Sequence, residues 1–306
     1  MKLYLFKFIV ISFLFGCATK PIKKVFTAGE TFKPIVTTES SATGSTANSL
    51  PDDPVSLLPP LGGSLSGIVR IIPKIGLIFS AGGAKAWAHI GFIKEIEKAK
   101  WPIHSVAGFE WGAAVAAIYA HNLSANEVEW ELSKVKDFKN IEETSHTIFS
   151  KKSVSDLKIP FVCASLNISK QVIYLLNRGQ LDKLIPFCLA QPPLSKPHSQ
   201  SVAEMHDITS LAQHLRATGA SKIILINVLS QNSKRSFTTD YLSPENILWV
   251  TSAALMAKKI AGVDDTVNIN MDDYGLSDID KKREIIASGT EKSYNDIQKL
   301  TKKYGL

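Results

Sequence analysis

An apolar run at residues 75–79, Ile-Gly-Leu-Ile-Phe, is bounded by turn residues and predicts a buried strand. A loop of small residues follows at 80–84. From about Lys85 onward, His89, Phe92, Ile93 and Ile96 recur at the spacing of an amphipathic helix. A second strand, about 105–107, runs into Gly108-Phe109-Glu110-Trp111-Gly112, and an alanine-rich helix follows over 113–120. Ser124-Ala125-Asn126-Glu127 has the form of a capping box opening a helix that carries Val128, Trp130, Leu132 and Val135. Residues 136–156 are polar and read as loop. Strands are expected at 159–166 and 171–176. A helix is expected at 180–190, broken at Pro186 or stopped by Pro192-Pro193, with a loop through His198. Asp207-Ile208-Thr209 opens a helix that closes at Gly219. A further strand is predicted at 222–229, and Ser243-Pro244-Glu245 starts another helix with proline in its first turn.

Apolar segments alternating with amphipathic ones make residues 67–306 one compositional block, long enough for a single core, and imply an α/β sandwich on a largely parallel sheet. No internal repeat is visible. Residues 18–66 differ: they are rich in Ser, Thr, Pro and Gly, bury too little to offset their ordering entropy, and read as a flexible tether. At 1–17, Lys2 and Lys7 flank the start of an apolar run that ends Leu14-Phe15-Gly16-Cys17. That run is too short to cross a bilayer and reads as a secretory signal. Its ending resembles the lipobox of bacterial lipoproteins, although Phe15 is bulkier than that motif favours. The resemblance implies cleavage after Gly16, a lipid on Cys17, and a membrane-anchored protein of the bacterial cell envelope, at the outer membrane or the periplasmic face. An ordinary cleaved signal stays open as the alternative.

The formal charge of +7 falls to about +5 without Lys2 and Lys7, and the lysines are scattered. That suits proximity to anionic lipid and carries no nucleic-acid signature. The histidines show no metal-ligand spacing, so neither a metal nor a cofactor is expected, and His89 on its apolar helix face reads as structural. Cys163 in a strand and Cys188 in an apolar helix read as core thiols rather than a catalytic pair, with a disulfide between them left open.

The chemistry concentrates at 75–120. Strand, tight turn and helix, with Gly108 and Gly112 on either side of Glu110, is the layout of a nucleophile elbow. The central residue of such a turn is held above the sheet, and the flanking glycines relieve the crowding. The earlier loop would offer backbone N–H groups at a helix N-terminus to a developing oxyanion. Here the chain resembles the patatin-like phospholipase family, which carries a Gly-Gly-Gly-x-Arg-Gly oxyanion loop, a Gly-x-Ser-x-Gly elbow and a later Asp-Gly-Gly or Asp-Gly-Ala. The resemblance implies a three-layer α/β/α sandwich, a Ser–Asp dyad acting on lipid acyl esters, and a closing strand and helix at 266–271 and 276–304.

The departures from that pattern decide the functional expectation. Glu110 stands at the serine position; the loop reads Ala81-Gly82-Gly83-Ala84-Lys85-Ala86, and the aspartate position falls at about Ala203. Glu204 and Asp207 lie near that register, although Asp207 is also placed to cap its helix. No catalytic residue of the dyad is intact. What remains is the loop residues Gly82, Gly83, Ala84 and Lys85 and the elbow residues Gly108, Trp111 and Gly112, with Trp111 large enough to fill the pocket. Glutamate attacking an ester would form an acid anhydride, and losing a serine nucleophile costs on the order of 10⁶ in turnover. Acting as a general base on water would require a raised pKa and a pocket open to solvent. A third reading has the Glu110 carboxylate accepting the N–H groups once used for the oxyanion, which a carboxylate turned away from the backbone of residues 82–84 would contradict. A plain surface glutamate on a turn is the fourth. The expectation is a membrane-anchored domain without hydrolase chemistry that binds lipid acyl chains or an envelope protein. A carboxylate-based acyl hydrolase and a purely dimerising structural protein are the alternatives.

Overall fold

The computed structural model describes residues 72–229 and 247–306 of the 306-residue chain. The signal at 1–17 with Cys17, the tether at 18–66, residues 67–71 and the helix start at Ser243 lie outside the described residues, and that helix, α7, is described over Ile247–Met256.

β1 (Ile75–Phe79) is buried along its whole length, as a continuous apolar run in a parallel sheet should be. It lies centrally, parallel to β2 (Ile103–Gly108) on one side and β6 (Lys222–Asn227) on the other. β2 continues in parallel to β3 (Phe161–Asn167), and β6 to β7 (Asp265–Asn268). β4 (Val172–Leu176) and β5 (Ser201–Ala203) both pair antiparallel with β3. Among the described residues the sheet order is β4-β3-β2-β1-β6-β7, with β5 beside β3.

Right-handed crossovers fix the layers. α1 (Ala88–Lys98) links β1 to β2 and α2 (Trp111–Asn122) follows β2 toward β3, moving outward in the same direction, so both cover one face. α6 (Ile208–Ala217) carries the chain back from β5 to β6, in the opposite sense, and packs across β1, β2, β3 and β6 from the other face. The result is a three-layer α/β/α sandwich with a mostly parallel sheet.

α1 is more deeply enclosed than a one-sided amphipathic helix. Besides His89, Phe92, Ile93 and Ile96, it buries Ile90 and Gly91. The reason is α8 (Lys282–Tyr304), which crosses its outer side with Gly91 and Gly289 at the contact. A Cβ at either glycine would lie closer than 3.0 Å to backbone of the other helix, so the axes can approach this closely only without side chains there. α2 is buried almost all round, between the sheet and the helices α3 (Ala125–Ser133) and α5 (Leu181–Leu189), which explains its alanine-rich sequence.

The loop expected at 136–156 is overturned. Ile141–Phe149 is a helix, α4, and a 3-10 turn follows at Val154–Asp156. Its buried residues Ile141, Ser145, Ile148 and Phe149 recur at helical spacing and face α5, but only three are apolar, so polar neighbours mask the period. α5 runs through Pro186 to Leu189: proline removes one backbone donor, while Leu184, Ile185 and Cys188 stay buried. α6 begins as expected at its Asp207 cap, whose side chain accepts from the Ser210 N–H at 3.2 Å. The chain between β7 and α8 does not enter a helix at Leu276. It forms an irregular passage ending in a 3-10 turn at Ile279–Lys281, and this passage runs over the glycine loop.

Candidate active site

β1 and β2 end side by side, with Phe79 in register with Gly108. The crevice outside the carboxyl ends of parallel strands is where α/β sheets place their chemistry. The two turns that leave these strands, 80–87 and 109–111, meet there.

Glu110 occupies the apex of the second turn with φ 52° and ψ −137°. That positive φ is costly for a residue with a side chain, on the order of 1–3 kcal/mol, and persists only where the surroundings enforce it. The enforcement is visible. The Glu110 N–H donates to the Cys188 carbonyl at 2.9 Å, its carbonyl accepts the Ala113 N–H at 2.8 Å, and the Phe109 N–H donates to the Phe79 carbonyl at 3.3 Å. A Cβ on Gly112 would meet the Phe79 and Ser80 carbonyl oxygens closer than 3.0 Å, and one on Gly108 would meet the Gly112 carbonyl. The bracketing glycines are therefore steric requirements of the turn.

The Glu110 side chain crosses to the glycine loop. Its Oε2 accepts the Gly82 N–H at 3.0 Å and the Gly83 N–H at 2.9 Å. The next two donors of the loop are also engaged: the Ala84 N–H donates to the Leu276 carbonyl at 2.7 Å, and the Lys85 N–H to the Gly82 carbonyl at 2.9 Å. Every backbone donor from residue 82 to 85 thus has an acceptor inside the protein. Oε1 of Glu110 makes no hydrogen bond among the described residues.

The Glu110 side chain is fully buried, and two opposing influences act on its charge. Desolvation disfavours the carboxylate, while the backbone N–H groups of Gly82, Trp111 and Gly83 favour it. Desolvation wins, and the pKa is pushed up to about 7. A helix terminus contributes roughly 0.3–1 kcal/mol, too little to reverse burial of this extent. The surface-glutamate reading is therefore excluded by burial. Of the two conditions for a general base, a raised pKa is met and access to solvent is not.

Trp111 is buried against Trp87 and Phe138, with ring centroids at 5.6 and 5.2 Å. Lys85 is buried as well. Desolvation lowers its pKa to about 8, opposed by the charges of Asp272, Asp278 and Asp273 from the passage before α8. His89 donates from Nε2 to the Ser80 carbonyl, 2.9 Å away, and packs edge-on against Phe79. Because a carbonyl only accepts, Nε2 carries the proton; burial lowers the pKa to about 4 and keeps the ring neutral.

The position set against the family's aspartate, Ala203, sits on β5, and its N–H donates to the Ala190 carbonyl at 2.7 Å. Since Cys188 holds the Glu110 N–H, the end of α5 touches both the elbow and this strand. No carboxylate is brought to the elbow from here. Glu204 turns its Oε1 onto the N–H groups of His206 and Asp207, at 2.6 and 3.0 Å, and Asp207 caps α6. Cys163 and Cys188, read from the sequence as core thiols, form a disulfide. It joins β3, opposite Gly108, to the end of α5 that carries the Glu110 contact, and so braces the floor of the turn. The spacing of 25 residues held no signal for this pairing. Nor could the sequence have supplied the carbonyls of Leu276 and Cys188, since any residue type brings one.

Among the described residues, no cluster of three metal-ligating side chains occurs, and no helix is long and apolar enough to cross a membrane. The model of the patatin-like phospholipase family matches residues 77–220. Patatin-like phospholipase domain-containing protein 6 of Mus musculus is 26% identical over 214 residues, covering 60% of this chain and 16% of that protein. Neuropathy target esterase sws of Drosophila melanogaster is 26% identical over 186 residues, covering 52% of this chain and 13% of that protein. The chain thus spans about a sixth or less of the length of these curated relatives. Among solved structures, VipD from Legionella pneumophila aligns over 76% of this chain and 67% of its own, at 10% identity and a TM-score of 0.43. The elbow, the glycine loop and the strand bearing Ala203 all fall inside the stretch that the patatin-like phospholipase family model matches, so the part of this chain that carries the candidate site is similar to that family.

Proposed function

We propose that this protein is a membrane-anchored patatin-like domain without acyl-hydrolase chemistry, serving as a lipid- or protein-binding module of the cell envelope. One observation carries the reading: the Glu110 carboxylate lies on the Gly82 and Gly83 N–H groups, where an acyl-transfer enzyme needs open donors for the oxyanion. Glu110 takes the serine position and the donor site together. A substrate carbonyl meets no hydroxyl at the apex, and no backbone donor of residues 82–85 is open to it. Anchoring rests on the Cys17 motif, which sets the domain beside acyl chains and envelope proteins.

The competing reading is a lipid acyl hydrolase with Glu110 as base. It is favoured by the raised pKa and by the phospholipase and esterase names of the relatives. Hydrolysis of p-nitrophenyl butyrate and of a fluorogenic phospholipid separates the two. The purified chain is expected to turn over neither substrate faster than its Glu110→Ala variant does. Turnover that disappears in Glu110→Ala would establish the competing reading. Anchoring is checked separately: Cys17→Ser is expected to move the chain from the membrane fraction to the soluble fraction, and unchanged partitioning would remove that part of the proposal.

A further inference from the structure

A groove of about 820 Å³ lies between α3 and the first turn of α8, on the outer helical layer and away from the elbow. Its lining combines an indole with planar polar groups. Trp130 stands 64% exposed, although a side chain of this size normally finds cover. Three carboxylates (Glu129, Asp280, Glu284) face three cations (Lys281, Lys282, Arg283), so the formal charges balance.

Some of these groups are already committed. Lys282 donates to the Ser133 and Val135 carbonyls and lies over Trp87, Lys281 pairs with Asp278, Glu129 pairs with Lys94, and the Lys134 ammonium lies 5.9 Å from the Trp130 ring centre, so a ligand would stack on the opposite face of that indole. Asn126, Asp280, Arg283 and Glu284 make no side-chain hydrogen bond among the described residues. The uncommitted set therefore holds acceptors, donors and a fork of N–H groups around an aromatic face.

Ligands of a single charge sign and purely apolar ligands each meet an obstacle. An anion faces the carboxylates, a cation faces the basic side chains, and an acyl chain would strand the polar lining without water. A ring of hydroxyl groups, each both donor and acceptor, matches carboxylate, amide and guanidinium together. The C–H face of a pyranose also covers an indole. We propose that this groove binds an uncharged saccharide stacked on Trp130. The site is independent of the Glu110 reading.

The test titrates the full chain with maltotetraose, cellotetraose and chitotetraose, following the indole N–H resonances by NMR. At least one of the three is expected to shift the Trp130 signal saturably. Trp130→Ala should weaken that binding about tenfold or more, as truncating an aromatic anchor does. Arg283→Ala should weaken it in the same direction. Both side chains are exposed, so the thermal midpoint should not move. The proposal is overturned if no saccharide shifts the Trp130 resonance at millimolar concentration, or if Trp130→Ala binds as the parent does. Phosphocholine binding in place of saccharide would also overturn it.

Discussion

Glu110→Gln is expected to turn a nearly level pH–stability profile into one that falls steeply with acid. Two buried groups at the site titrate in opposite senses. For Glu110, the folded pKa of about 7 lies above the ordinary 4.5. Its contribution to stability is complete below pH 4.5 and is lost as the pH rises through 7. For His89, the folded pKa of about 4 lies below the ordinary 6.5. Its contribution is complete above pH 6.5 and is lost as the pH falls toward 4. Each shift corresponds to roughly 3 kcal/mol, and between pH 4.5 and 6.5 the two slopes oppose one another. Glutamine keeps an acceptor for the Gly82 and Gly83 N–H groups but does not titrate, so the His89 slope is exposed. Urea unfolding from pH 4.5 to 7.5 should show the difference between parent and variant changing by roughly 3 kcal/mol, the parent being relatively favoured in acid. Other titrating groups are common to both proteins and cancel. Parallel profiles would mean that Glu110 ionises as an ordinary carboxylate, and the electrostatic account of the site would fail.

Gly112→Ala should destabilise the fold by about 3 kcal/mol or more, through backbone collision rather than a lost contact. The new Cβ would press on the Phe79 and Ser80 carbonyl oxygens. Those atoms cannot yield easily. β1 is held by β2 on one side and β6 on the other, and the Phe79 carbonyl already accepts the Phe109 N–H. Relief comes only if α2 lifts, and lifting α2 draws Glu110 off Gly82 and Gly83. The variant should therefore show a lower denaturation midpoint together with a smaller Glu110-dependent pH effect. A loss below about 1 kcal/mol would show that the turn relaxes without moving the helix. The elbow geometry is demanded by packing whether or not a nucleophile sits in it.

Legibility varied with the range of the interaction. β1, β2 and α2 announce themselves through local apolar runs and small residues, and Asp207 caps its helix as a local hydrogen-bonding residue does. α4 was hidden because only part of its buried face is apolar, so its partner α5 stabilises it more than its own pattern does. The full burial of α1 was hidden for the same reason, since α8 lies about two hundred residues further along.

By itself the sequence determined that a largely parallel α/β sheet forms and that glycines bracket Glu110. These follow from local periodicity and residue identity, which do not depend on what the chain later meets. Only the tertiary structure decided where the carboxylate goes, which charge state burial favours, and that Cys163 reaches Cys188. Each of those depends on distances across the fold, and on desolvation by neighbours from distant segments. The same holds for the Leu276 carbonyl on the Ala84 N–H: a backbone acceptor has no residue-type signature, so only its placement reveals it.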